Sequence, residues 1–464
     1  MTVNGKEVHT SDTFGVDNPA TGRVFAQAPD CSPDQLDDAL QAASDALPLW
    51  RDDIAARRSA LLAAAARIEE STEELATLLT LEQGKPLPDA RFEVGLTALS
   101  LRTTAPLDLP REVIRDDDKE RIEVVHQPMG VVAAITPWNF PLALAALKIG
   151  PALLAGNTVV LKPSPFTPLS SLALGIVLRD VLPPGVLNVI SGRDPLGARL
   201  AEHSVPRKVS FTGSVATGKR VAEATAPDLK RLTLELGGND AAILLDDVDL
   251  DVHADSLFWG AFANCGQICA AMKRLYVPRS RYTEVVDALA DRARSVRVAD
   301  GMLPGTQLGP LATAPQFARV QELVGEALAG GATAAAGGRR LDGDGYFFAP
   351  TILRDVEDGV RIVDEEQFGP VLPVIPYDDV EEALARANGT HFGLDGSVWS
   401  ADPERAAALA ARLECGTSWV NTHAVPTPGV PLGGHKWSGL GVEGGLAGLL
   451  SFTETKVLHV IRSR

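Results

Sequence analysis

Cysteine, positive charge and long apolar runs are what this chain has little of, and each shortage closes a class of function. Four cysteines stand in 464 residues, at positions 31, 265, 269 and 415, too few and too scattered for the disulfide framework of a small secreted domain. A reducing compartment fits that usage. Lysine and arginine total 43 against 60 aspartates and glutamates, a net charge of -17, which argues against a nucleic-acid backbone or an anionic membrane as main partner. Beyond that the charge speaks to solubility, not to chemistry. No run of about 18 apolar residues occurs, and the richest stretch, Leu142 to Ala155, is interrupted by Lys148. The first residues, Met1 to Lys6, are polar and lack the apolar segment of a signal peptide. Repeats and low-complexity tracts are also missing. A cytoplasmic, soluble protein is the expectation.

What is present is ordinary globular composition, 45% hydrophobic and 22% charged, which excludes a structural fibre. At about 150 residues per domain the length predicts two or three domains. Ser32 followed by Pro33 starts a helical pattern that runs to Pro48, and a second pattern extends from about Asp52 to Leu81, closed by Gly84 and Pro86. From Gly130 short apolar runs alternate with helical segments: Val131 to Ile135, Thr158 to Leu161, Val186 to Ile190, Lys208 to Phe211 and Leu232 to Leu236. Strands apolar on both faces, separated by helices, predict a doubly wound α/β domain with a parallel sheet. Ligands of such sheets lie beyond the carboxyl ends of the strands. The residues there are Thr136-Pro137-Trp138-Asn139-Phe140-Pro141, Lys162-Pro163-Ser164-Pro165, Thr212-Gly213-Ser214 and Glu235-Leu236-Gly237-Gly238. Polar and glycine residues therefore collect along one edge. A second α/β pattern follows, with helices near Val252 to Ala263 and Arg281 to Val296 and a glycine-rich turn region at Ala329 to Gly345. Arg121 to His126 and Lys456 to Ile461 read as strands outside either core, suited to pairing across subunits or to an ordinary capped edge.

Single motifs leave more than one reading open. Gly213 to Lys219 resembles a phosphate loop, but Arg220 stands where the metal-binding Ser or Thr belongs, so a Mg-nucleotide phosphatase is not expected. A G-x-G-x-x-G dinucleotide fingerprint is also missing. A strand running through glycines into a helix can still offer amides to a phosphate, or be only a tight turn. Cys265 and Cys269 are four apart and would share a helix face, yet no histidine or further cysteine completes a metal set, and no metal is expected. A buried inert thiol is the default for either. A nucleophile needs the thiolate, which amides at a turn would favour, and Cys269 follows a Gly-Gln turn. Glu235 ends an apolar strand, where burial would raise its pKa toward a general base's range, unless a buried lysine or arginine pairs with it. Asn139 and Lys162 read equally as a turn amide and a surface lysine.

Taken in order and spacing, these motifs resemble the aldehyde dehydrogenase superfamily, from Asn18-Pro19-Ala20-Thr21-Gly22 to Pro431-Leu432-Gly433-Gly434-His435-Lys436-Trp437-Ser438-Gly439, nearly the whole chain. The resemblance implies a Rossmann-like cofactor domain (residues 1–109 and 128–236), a second α/β catalytic domain (237–430) and a small β bridging or oligomerisation element (110–127 and 446–464). It implies a homodimer or homotetramer that oxidises a small-molecule aldehyde to the carboxylic acid. Cys269, last in Phe262-Ala263-Asn264-Cys265-Gly266-Gln267-Ile268-Cys269, would be the nucleophile, forming a thiohemiacetal and then a thioester. Asn139 would hold the oxyanion with the Cys269 amide, and Glu235 would activate the hydrolytic water. Relatives that pass the acyl group to coenzyme A lack a carboxylate there, so Glu235 favours the hydrolytic branch. The cofactor would lie on Lys162, Gly213, Ser214, Leu236, Trp138, Glu366 and Phe368. Asn421 would line the active-site region, and Cys265 would be a neighbour able to form a disulfide with Cys269 under oxidation. NAD is the expected cofactor, but Pro165 replaces a glutamate that many NAD-using members carry, which weakens that preference and leaves NADP tolerated. Leu432 and Val442 replace a phenylalanine and an arginine without touching that chemistry. The alternatives are a catalytically silent scaffold protein that keeps the fold, or cofactor-independent esterase activity of the same thiol. Pocket walls from Leu142 to Ala146, Phe262 to Ile268 and His423 to Val430 favour an uncharged aliphatic or aromatic aldehyde.

Overall fold

The computed structural model describes residues 1–462. Ser32 and Gln35 form a reciprocal capping box, and the helix they start runs Pro33–Trp50. It passes Pro48 rather than stopping there, because a proline in the last turn forfeits one backbone hydrogen bond near an end already short of partners. The long pattern after Asp52 is two helices, Ile54–Glu70 and Thr72–Gln83. Ser71 leaves helical geometry between them, a break without the glycine or proline that announces one in sequence.

Among the described residues, the strands make four sheets. In the first, Arg231–Glu235, Lys208–Thr212, Val131–Ile135, Thr158–Lys162 and Leu187–Val189 lie parallel in that order. These are the five apolar runs. Antiparallel edges are added by Gly439–Leu440 on one side and Thr2–Val3 with Lys6–Glu7 on the other. Helices Pro33–Trp50, Ile54–Glu70 and Pro141–Leu154 contribute Leu40, Ile68 and Leu153 to its core. A second sheet follows the order Thr333–Ala336, Thr351–Arg354, Val371–Tyr377, Met272–Pro278, Asp240–Leu244, Asp395–Trp399 and Thr417–Val420. Its strand Thr333–Ala336 lies inside the segment read as glycine-rich turns. Four small residues carry too little periodicity to be recognised. Apolar clusters cover both faces of this sheet, one around Tyr276 and Ile375 and the other around Phe258 and Trp399.

The third sheet is antiparallel: Thr453–Ile461 pairs along its whole length with Glu120–Pro128, which pairs with Glu112–Asp116. The two strands read in sequence outside either core, Arg121 to His126 and Lys456 to Ile461, thus pair with each other. Residues 463 and 464, part of the expected bridging element, lie outside the described residues. No helix among the described residues is long and apolar enough to cross a membrane.

Candidate active site

The Cys269 loop stands between the two large sheets, opposite the carboxyl ends of the first. Residues Ala263–Gly266 form one tight turn rather than an extension of helix Leu250–Phe262, with Asn264 at φ 50° and Cys265 at φ 60°. The expected shared helix face of Cys265 and Cys269 therefore does not form. Gly266, at φ 69°, lets the turn touch the loop that carries Glu366 and Phe368, since a Cβ there would come within 2.1 Å of the Gly369 carbonyl oxygen. Gly237 and Gly238 bring the strand end of Glu235 to the same place. A Cβ on Gly238 would meet the Cys269 carbonyl at 2.6 Å, and one on Gly237 the Glu366 carboxylate at 2.2 Å.

Glu235 is 2% exposed and neither carboxylate oxygen has a hydrogen-bond partner of good geometry. Among the described residues no cation pairs with it, and the Cys269 thiol is the group that faces it. Burial first, and the negative charges of Glu443 and Asp395 after it, push its pKa up to about 8. The Cys269 thiol is raised too, by burial and by Glu235, Asp395 and Glu366. That reverses the expectation that turn amides would lower it: burial first, and the surrounding carboxylates after it, outweigh the amide dipoles. Cys265 is buried and inert, its thiol pushed up to about 12 by burial.

Asn139 is 3% exposed and its side-chain amide donates to the Gln267 carbonyl at 3.0 Å, two residues before Cys269. The same amide nitrogen keeps a second N–H, in the plane fixed by the first. Asn264 donates to the Asn139 carbonyl at 3.2 Å, so the cysteine turn and the asparagine turn are tied in both directions.

At the same sheet edge, Lys162 is not the surface lysine its neighbours suggested. It is 5% exposed, forms no ion pair, and donates only to Pro163 O at 3.2 Å. Burial lowers its pKa to about 8, against the opposing pull of Asp194 and Asp30. Ser214 caps helix Val215–Thr225, accepting from the Thr217 amide at 3.2 Å. Gly213 leaves no room for a side chain, whose Cβ would strike the Phe211 ring at 2.5 Å. The Leu236 amide donates to Ser438 O at 2.9 Å. Glu366 accepts from the Gly238 amide at 3.2 Å and is raised to about 7 by burial, with Lys273 opposing. The Phe368 ring meets Trp138 edge-on, centroids 5.3 Å apart. A buried ammonium short of partners, a helix start and a half-buried carboxylate on a glycine shelf fit a dinucleotide's ribose hydroxyls and pyrophosphate.

Asn421 does not offer its amide to this site. Its oxygen accepts from the Ser400 amide and its nitrogen donates to Ser400 O, both at 2.9 Å, which pins the ends of two catalytic strands together. Sequence reasoning passed over several charged groups that surround the site. Lys148 and Glu443 pair at 2.6 Å beneath Glu235, and Lys85 pairs with Glu93 beneath Asn139. Asp240 and Asp395 stand side by side at the starts of adjacent strands, the Asp395 amide donating to the Asp240 carboxylate at 3.1 Å. Lys148 inside the apolar run Leu142 to Ala155 was the one signal available, since a lone charge in a buried helix demands a partner.

A thiol, a buried carboxylate and an amide donor thus stand together beside the candidate cofactor-binding edge of the first sheet. The chain belongs to the aldehyde dehydrogenase family, whose profile, described as "Aldehyde dehydrogenase family", matches residues 7–458. It is 38% identical over 468 residues to the glutarate-semialdehyde dehydrogenase of Pseudomonas putida, covering 99% of this chain and 97% of that one. The NADP-dependent succinate-semialdehyde dehydrogenase GabD of Escherichia coli is 37% identical with the same coverage. The NAD complex of a Bacillus cereus aldehyde dehydrogenase superposes with a TM-score of 0.97 at 38% identity, covering 100% of this chain and 96% of that one. The protein oxidises aldehydes with NAD(P), and the α/β fold expected from sequence is the one observed.

Proposed function

We propose that Cys269, Glu235 and Asn139 carry out this oxidation and that the product is the free carboxylic acid. The observation that carries the reading is Glu235, buried, without a cation, and face to face with the Cys269 thiol. Cys269 adds to the aldehyde carbon as its thiolate, having given its proton to solvent, and the Asn139 amide with the Cys269 backbone N–H receives the oxyanion of the thiohemiacetal. When bound, the nicotinamide cofactor supplies the acceptor for the hydride that leaves this carbon. Glu235 then takes a proton from water as it attacks the thioester at Cys269, releasing the acid. A raised pKa suits that base, because a carboxylate that stays partly protonated near neutrality is also a stronger proton acceptor once ionised.

Lys162, Gly213, Ser214, Leu236, Trp138, Glu366 and Phe368 form the proposed cofactor platform. NAD is the proposed cofactor, and because the turn after Lys162 carries Pro165 and no carboxylate to repel a 2′-phosphate, NADP is accepted. The three wall segments contribute two titratable groups, both neutral: burial pushes the Cys265 thiol up to about 12 and lowers His423 to about 3. An uncharged aliphatic or aromatic aldehyde is the proposed substrate, in contrast to the semialdehydes of the relatives named above.

The proposed domains are residues 1–109 with 128–236, 237–430, and the bridging 110–127 with 446–464. Val457 and Ile461, on one face of the last strand and more than half exposed, suit burial against a second copy in a homo-oligomer. Following reduced cofactor across hexanal, benzaldehyde and succinate semialdehyde, with NAD and with NADP, tests the whole reading. Faster turnover of the uncharged aldehydes with NAD is expected; preference for the semialdehyde overturns the substrate class.

A further inference from the structure

The turn that carries Asn139 is held from below by an ion pair that no chemistry above uses. Lys85 and Glu93 have side chains 1% and 0% exposed and pair with each other. Lys85 follows helix Thr72–Gln83, and Glu93 lies within the next helix, Leu87–Thr104. The Lys85 ammonium also donates to the Asn139 carbonyl at 2.9 Å and lies over the Phe140 ring, 3.8 Å from its centroid. The second oxygen of Glu93 accepts the Leu142 and Ala143 amides at 3.0 and 3.3 Å, in the first turn of helix Pro141–Leu154, which begins two residues after Asn139. A carboxylate at that helix start satisfies donors that have no partner within the helix and matches its positive end.

The tie continues to the nucleophile's own turn. The Lys85 amide donates to the Gln83 side chain at 2.9 Å, Gln83 donates to Asn264 at 3.2 Å, and Asn264 donates back to the Asn139 carbonyl at 3.2 Å. A closed ring of hydrogen bonds therefore fixes the Asn139 main chain on one side while Gln267 fixes its amide plane on the other. Buried ion pairs contribute little net stability, since desolvating two charges offsets their attraction, whereas they do impose a unique geometry on what they touch. Misplacing a catalytic group by about 1 Å can cost on the order of a hundredfold in rate.

We propose that Lys85 and Glu93 are positioning residues that hold the Asn139 side-chain amide in place for the oxyanion, acting through the Asn139 turn. This rests on the reading of Asn139 as oxyanion donor, and the test separates the two. The enzyme saturated with NAD is assayed on one aldehyde as Asn139→Ala, Lys85→Met, Lys85→Arg, Glu93→Gln and the double variant Lys85→Met with Asn139→Ala. Asn139→Ala should lower kcat about 10²- to 10³-fold. Lys85→Met should lower kcat about tenfold or more with the KM for NAD unchanged, Lys85→Arg should recover part of it, and in the Asn139→Ala background Lys85→Met should cost less than about twofold. Glu93→Gln keeps an acceptor for the helix amides while removing the charge, so it reads the same coupling if Lys85→Met does not fold. Losses that multiply in the double variant, or a parental kcat in both Lys85→Met and Glu93→Gln, overturn the positioning role while leaving Asn139 intact. A parental kcat in Asn139→Ala overturns the oxyanion reading and this proposal with it.

Discussion

The ligand edge of the first sheet and the layer just beneath it treat charge in opposite ways. Beneath, Lys148 lies on Glu443 at 2.6 Å with Thr212 and Ser210 completing the set, and Lys85 lies on Glu93. At the edge, Lys162 and Glu235 are each at least as buried as an ordinary core residue, yet neither forms an ion pair among the described residues, the pull of Asp194 and Asp30 on Lys162 and of Lys148 on Glu235 coming from beyond pairing distance. An isolated buried charge is costly and shifts its pKa toward neutrality, and both groups shift in that direction. The pairs hold the architecture; the unpaired groups keep their hydrogen-bonding capacity for something the protein does not itself contain.

Four changes would break or sharpen this contrast. Cys269→Ala should show the largest effect, loss of about 10⁴-fold or more in kcat with folding intact, measured by reduced cofactor and by circular dichroism. A variant retaining even a hundredth of parental turnover would refute the nucleophile. Glu235→Gln should slow turnover by about 10²- to 10⁴-fold while sparing acylation. Stopped-flow mixing should then show one equivalent of reduced cofactor followed by a slow steady rate, and a missing burst would place Glu235 in the first half-reaction alone.

Lys162→Met should raise the KM for NAD about tenfold or more, the worth of a charge-assisted hydrogen bond, and leave kcat nearly unchanged. An unaltered KM would move the ribose elsewhere. The smallest expected effect is in pH dependence. Glu235 titrates at about 8, so thioester hydrolysis should rise with pH through that value, and Asp395→Asn, which removes a neighbouring negative charge, should move the midpoint downward. The sign for stability is opposite to that for activity. The folded-state pKa is raised, so the stabilising contribution of protonated Glu235 is complete below about pH 4.5 and is lost as pH rises through about 8. Glu235→Gln should therefore flatten the fall in melting temperature between pH 5 and 9, and an unchanged slope would assign that fall to other groups.

The five parallel strands were legible because apolar runs between helical segments have one compact solution. The helix break at Ser71 and the strand Thr333–Ala336 were not, since neither carries turn chemistry or a hydrophobic period of its own. At the site, residue types at strand ends pointed to Cys269, Glu235, Asn139 and Lys162. Whether Lys162 was exposed, and whether Glu235 had a partner, depended on residues outside their own strands. Glu443 escaped attention because its ion pair with Lys148 joins segments 295 residues apart, and Lys85 and Glu93, although near in sequence, because they pair across the break between two helices. The rise of the Cys269 thiol was misjudged because local amides are visible in sequence and converging carboxylates are not.

The strand Gly439–Leu440 pairs with Leu234 and Glu235, Ser438 receives the Leu236 amide, and Glu443 neutralises Lys148. These contacts join segments some two to three hundred residues apart, with the later partner emerging from the ribosome after more than four hundred others. Until then the Glu235 strand is an open edge and Lys148 a charge without a counter-ion, so the first sheet cannot close as translation proceeds. The reactive centre is therefore complete only once residues 438–443 have joined the sheet beside Glu235.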